Sequence, residues 1–194
     1  MPIAVGLVLL ILLQFGVVQT LRVSSVNMVP TLAPDDHVMV RAYGSEPALG
    51  DVVVYRSPFD YDHLQLGRIV AVEGEQVELA ENGLHLDGRA AATQPASSCE
   101  SAACEATENL IAVETVGGRS FYTRRADGLS SLMFDATVVP PGHVFVLSDN
   151  RVDERDSRIY GAIPHGAIVG VLSFVYYAFD ETGIRWDRMN RPVS

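Results

Sequence analysis

The sequence predicts a mainly β, antiparallel domain with a small β-hairpin and loop insert, behind one N-terminal segment that reads as a transmembrane helix. Three observations carry this. Short alternating or β-branched runs recur from His37 to Phe179, bounded by glycine, proline and asparagine turn signals. Beyond residue 20 no stretch shows the period of an amphipathic helix. Ile3 to Leu13 is unbroken apolar and the pattern resumes from Phe15 to Val18.

Taken in order, the span from Pro2 to Thr20 offers ~19 residues, enough to cross a hydrocarbon core. A cleavable signal peptide is the rival reading, but there is no cationic start and no small-x-small cleavage site before Arg22. His37 to Arg41 alternates, and Gly50-Asp51-Val52-Val53-Val54-Tyr55 is a β-branched run opened by a turn glycine. Leu64 to Val72 alternates around Arg68, and Gly74-Glu75 turns the chain into Val77 to Leu79. Asn82-Gly83 is a hairpin signal before Leu84-His85-Leu86. Gly88 to Ala106 is Ala/Ser-rich and reads as an inserted loop. Leu110 to Val116 and Ser120 to Arg124 form a second hairpin pattern around Gly117-Gly118. His143 to Leu147 is a buried strand by composition, and Ile168 to Phe179 supplies the last long one. The expected organisation is an anchor at 2–20, a core β domain at 21–80 and 140–194, and an inserted region at 81–139.

At 194 residues the chain can bury one substantial core. Its net charge of −10 argues against nucleic acid or an anionic lipid surface as main partner. All its basic residues are arginine; there is no lysine. Cys99 and Cys104 sit in a Ser/Ala stretch without the further ligands of a structural zinc site. A local disulfide, which points to an oxidising compartment, is preferred over a pair of free thiols.

Two stretches stand out. Ser24 to Pro34 contains two prolines four residues apart, which forbids a regular helix and predicts a stiff, extended lead-in presenting Ser25, Asn27 and Met28. Ser148 to Pro164 carries seven charged residues between apolar strands, as Asp-Asn-Arg followed by Asp-Ser-Arg-x-x-Gly. A solvated loop would explain the charges but not that arrangement.

Met28-Val29-Pro30-Thr31-Leu32, Gly50-Asp51-Val52-Val53-Val54-Tyr55, Gly67-Arg68-Ile69-Val70 and Asp149-Asn150-Arg151…Asp156-Ser157-Arg158-Ile159-Tyr160-Gly161 resemble, in order and spacing, the motifs of bacterial type I signal peptidases. Ile184-Arg185-Trp186-Asp187-Arg188 is similar to that family's ending, and the cysteine pair resembles its Gram-negative members. The resemblance implies an antiparallel β domain at the outer face of the bacterial inner membrane, held by a single pass, that cleaves signal peptides from exported preproteins. It implies a Ser/Lys dyad and no metal or other cofactor.

That chemistry needs a hydroxyl nucleophile, a neutral amine to take its proton, and oxyanion donors. By the resemblance the nucleophile position is Asn27, whose amide nitrogen is delocalised. The general-base position is Gly67, and the base-holding position is Glu154. Ser25 matches the serine that helps form the oxyanion hole, with Val26 in place of a glycine. Met28, Pro30, Asp51, Arg68, Asp149, Asn150, Arg151, Asp156, Ser157, Arg158 and Gly161 match structural motif positions, with Arg68, Asp149, Asp156 and Arg158 tied by ion pairs. His63 lies four positions from Gly67, on the order of 13 Å along a strand at ~3.3 Å per residue. Ser24 or Ser25 with His37, His63 or His165 would need a new base and a new register. Three readings follow: a non-catalytic homologue that binds signal peptides or an active signal peptidase, an active peptidase with an atypical dyad, or a structural component of an envelope complex. Expected partners are the lipid bilayer and one of those proteins, without nucleic acid; the oligomeric state is left open.

Overall fold

Pairing, more than propensity, sets the architecture. The structure, a computed structural model, describes residues 18–42, 48–80, 83–96, 111–125, 133–180, 183–190 and 193. The chain opens with β1 (Val18–Arg22), β2 (His37–Ala42), β3 (Val52–Arg56) and β4 (Leu64–Val72). Shorter strands follow: β5 (Gln76–Ala80), β6 (Gly83–Leu86), β7 (Arg89–Ala90), β8 (Ala92–Pro95), β9 (Ile111–Val116), β10 (Arg119–Arg124) and β11 (Phe134–Val138). It then runs through β12 (His143–Leu147), a one-turn helix α1 (Ser157–Tyr160), β13 (Ile163–Pro164), β14 (Ile168–Tyr177) and a terminal pair, β15 (Phe179–Asp180) and β16 (Gly183–Ile184).

The main sheet has seven strands in the order β1-β2-β14-β3-β4-β12-β13. A four-stranded sheet, β11-β5-β6-β7, and a three-stranded one, β10-β9-β8, carry the middle of the chain. Every pairing between these strands is antiparallel. β5 and β6 pair as consecutive antiparallel strands, with Ala80 opposite Gly83.

Side-chain alternation on β3 divides the core. Val52 and Val54 face one cluster with Val23, Met28, Leu32, Val38 and Leu172. Val53 and Tyr55 face another with Ile69, Val144, Val146 and Ile163. A strand buried on both faces needs a continuous apolar run, which is why β3 reads Val-Val-Val-Tyr. A third cluster, with Val70, Val77, Leu84, Phe121 and Leu147, joins the main sheet to the smaller ones.

The β class holds, but the expected transmembrane helix does not. Val18, Gln19 and Thr20, the end of the span expected to be helical, lie in β1 and pair with Arg41, Val40 and Met39. Their backbone groups are met by β2, so a helix cannot run through Thr20. Among the described residues no helix is long and apolar enough to cross a membrane. The rest of that span lies outside the described residues, as do Cys99 and Cys104; no disulfide occurs among the residues described, so the expected pairing gains no support.

Tyr55 gives a first test of the packing. Its ring is fully buried, its hydroxyl has no hydrogen-bond partner among the described residues, and burial pushes the phenol pKa far up. An unpartnered buried hydroxyl is unfavourable, so Tyr55→Phe should raise stability by about 1 kcal/mol in urea denaturation. A loss of that size instead would contradict an unpartnered hydroxyl.

Candidate functional site

The stretch expected to be an extended lead-in is instead a turn. Met28 and Leu32 are buried completely, and the Leu32 amide donates to the Met28 carbonyl at 2.8 Å. Burying these two side chains together outweighs the local preference of the prolines' neighbours for extended backbone. Asn27 opens the turn at 2% exposure. Its Nδ2 donates to the Leu66 carbonyl at 2.7 Å, and its Oδ1 accepts from Ser25 Oγ at 2.5 Å. Positions 27 and 67 are therefore adjacent, since Asn27 bonds the residue next to Gly67.

Gly67 is packed tightly. A Cβ there would lie 3.1 Å from Val146 Cβ and 3.3 Å from Tyr55 Cε1. A side chain at this position would head into the cluster between Val53, Tyr55 and Val146. Glu154, half-buried, lies on the loop after β12 and makes no side-chain ion pair among the described residues.

The β4 backbone beside Asn27 is an open edge. The Ile69 amide donates to Asp51 and its carbonyl accepts from Gly50, so Ile69 faces β3. By alternation Arg68, Leu66 and Leu64 turn their backbone groups the other way, toward β12. The β12 ladder ends at the pair Leu147–Arg68. Past it, Leu64 to Leu66 pair with β3 on one side, no described strand pairs with them on the side away from β3, and Asn27 takes the Leu66 carbonyl there.

A buried ion pair supports this corner. Arg68 Nε and Nη2 donate to the two Asp149 oxygens at 2.8 Å each, with both side chains at 0% exposure. Arg68 also donates to the Gly50 carbonyl at 2.7 Å, and its guanidinium carbon lies 4.1 Å above the Phe121 ring. Thr31 Oγ1 donates to Asp149 at 2.5 Å, tying the turn to the same carboxylate. Asn150 adds two bonds, from its amide to the Asn27 carbonyl (2.9 Å) and from Nδ2 to the Val26 carbonyl (3.1 Å).

The loop after Asn150 is held by its own charges. Asp156 caps α1, accepts from the Ser148 amide at 2.9 Å, and is gripped side-on by Arg158. Arg158 reaches on to the carbonyls of Arg151 and Asp153. Ser157 Oγ accepts from the Val146 amide at 3.0 Å. Gly161 ends the helix at φ 73°, a left-handed value that a side chain would oppose. Asp51 is held by Arg119 at 2.5 Å.

Burial pushes the Asp153 carboxyl up, but hydrogen bonds from Arg155 outweigh it and leave the pKa below its ordinary value. A depressed carboxylate stabilises the fold above its unfolded value and loses that contribution as pH falls through the folded one. The loop should therefore loosen below pH 3.8. Arg155→Gln should flatten that acid limb in a pH series of thermal melts; an unchanged limb would discount the pair.

Three partners escaped the sequence reading. Glu114 is wholly buried in β9, with Arg151 at 2.5 Å and Arg125 at 3.4 Å. Its signal was a carboxylate on the inward phase of an alternating strand. Arg188 grips Asp36 side-on and also reaches the Thr31 carbonyl, so the chain's later part braces the turn. Val193 is buried, and its carbonyl accepts from Arg68 at 3.3 Å. The histidines stand apart: His63 bonds Asp60 at 2.5 Å, and His37 packs edge-on against Tyr176 and Tyr177.

Residues 1–177 match the family described as "Signal peptidase, peptidase S26". The chain belongs to this family. A probable signal peptidase I-1 of Synechocystis sp. is 28% identical over 190 residues, covering 92% of this chain and 81% of that protein. Signal peptidase IB of Staphylococcus aureus is 28% identical over 182 residues, covering 92% and 88%. A signal peptidase I crystal structure from Enterococcus faecalis V583 shares 26% identity at a TM-score of 0.40, over 66% of this chain and 98% of that one. The family match gives the scaffold of a serine signal peptidase, from a family that is membrane-associated in bacteria.

Proposed function

We propose that this signal peptidase homologue binds extended peptides along the open edge of β4 without cleaving them. The observation that carries this is Asn27 itself. At the position where the family's motif places a nucleophile, the side chain is an amide bonded to Leu66. The neighbouring base position is Gly67, and the chain contains no lysine. Ser25 does not repair the loss, because its hydroxyl donates to the Asn27 amide oxygen, which takes no proton at neutral pH. The persistence of Arg68–Asp149 and Asp156–Arg158 fits a structural role, since removing one member of a buried pair is strongly destabilising whether or not catalysis survives.

The side of Leu64 to Leu66 that faces away from β3 has no strand partner among the described residues and suits strand addition, in which main-chain hydrogen bonds supply affinity and flanking pockets supply selectivity. Signal peptides of exported proteins are the favoured ligands; an active signal peptidase presenting an extended segment is the alternative partner. The expected location is the bacterial membrane surface, with the β domain on its outer side.

The test is to incubate the purified full chain in detergent with a preprotein and, separately, with its isolated signal peptide. Binding of the peptide without cleavage of the preprotein is expected. Specific proteolysis by the unmodified protein, abolished by changing Ser25, would overturn the proposal in favour of an atypical active site.

A further inference from the structure

A groove of about 520 Å³ is lined by Val26, Arg124, Asn150, Val152, Asp153, Glu154 and Arg155. It adjoins Asn27 through the chain, and Asn150 bonds both Val26 and Asn27. Two of its lining residues are exposed valines, Val26 at 49% and Val152 at 44%. Its charges are unevenly satisfied. Asp153 is held side-on by Arg155, so these two largely cancel. Arg124 has no side-chain hydrogen bond or ion pair among the described residues, and its Nε is buried without an acceptor. Asn150 is 4% exposed, and its Oδ1 is also buried and unpartnered.

We propose that this groove is a selectivity subsite for an acidic side chain of the bound peptide, seated on Arg124 in the groove that the two valines help to line. The proposal rests on the reading that the β4 edge holds an extended peptide, and it specifies what lies beyond Asn27. A guanidinium with no ion-pair partner among the described residues, and with its Nε buried without an acceptor, is free to take a carboxylate by a charge-assisted hydrogen bond. Asn150 Oδ1 needs a donor, and a peptide N–H supplies one without competing for Arg124. Glu154 limits the preference to a single acid, because a second carboxylate would face it. The two valines accommodate the aliphatic part of the ligand side chain, so a peptide residue, with a methylene stem and a charged tip, fits better than a free inorganic anion.

The experiment is an aspartate scan. An alanine-rich, neutral synthetic peptide of signal-peptide type is labelled with rhodamine, and a single Asp or Asn is placed at each successive position. Binding to the full chain in detergent is followed by fluorescence anisotropy. One position, or two adjacent ones, should bind about tenfold tighter as Asp than as Asn. High salt and Arg124→Gln should each remove that difference, and Glu154→Gln should widen it. Inorganic phosphate should not displace the neutral peptides. Measurable binding with a flat scan would overturn this proposal and leave peptide binding at β4 standing. An acid preference that survives Arg124→Gln would overturn it as well. Failure of every peptide to bind would overturn both readings.

Discussion

Asp149→Ala should destabilise the protein by about 3–5 kcal/mol, measured from the urea midpoint. The carboxylate accepts two bonds from Arg68 and a third from Thr31, in a setting with no exposure for either charged side chain. Removing it strands a fully buried guanidinium, which the Phe121 face alone cannot compensate. A loss of that size is a large share of the ~5–15 kcal/mol that holds a typical domain together. Combining Asp149→Ala with Arg68→Met should recover much of it, because removing both charges ends the desolvation cost that made the single change so severe. If the single variant loses less than about 1 kcal/mol, the pair is not the support described here.

Glu114→Ala should have a comparable effect, about 3–5 kcal/mol, for a related reason. Glu114 is wholly buried in β9 and receives Arg151, whose side chain is only 3% exposed. Without the carboxylate, Arg151 must carry its charge inside the protein or swing out. In swinging out it would pull on Asn150, which bonds Val26 and Asn27. Faster hydrogen exchange is therefore expected at the Asn150 and Arg151 amides, beyond what global destabilisation explains. Uniform acceleration across the chain would separate this network from the site.

Much of the sheet was legible because its strands are apolar on predictable faces. His143–Leu147 was expected with those bounds, and the last long strand ends at Tyr177, two residues short of the expected Phe179. The elements missed are short or exposed. β8 and β11 fall in stretches with weak alternation, and most of their side chains face solvent, so no hydrophobic phase marks them. β1 was obscured for the opposite reason: its apolar start continues an apolar run, and only its pairing with β2 reveals a strand. At the site, motif order suggested which residues belong together, but long-range partners are invisible to spacing. Arg68 and Asp149 are 81 positions apart, and Arg188 and Asp36 are 152 apart. Nor could any pattern indicate that Asn27 bonds the β4 edge, because that contact depends on where the β12 ladder stops.

The strand order carries a consequence for how the chain folds. β14 lies between β2 and β3, so these two strands, consecutive in sequence, are not joined into one sheet until a strand more than a hundred residues later arrives. Until then the facing edges of both remain unpaired, and β3 is a Val-rich segment of the kind that pairs readily with other chains. Loop closure over that distance is slow relative to local hairpins such as β5–β6 and β9–β10. The smaller sheets have the opportunity to form first, and the strand that closes the main sheet also ends the interval in which the nascent protein is prone to aggregate.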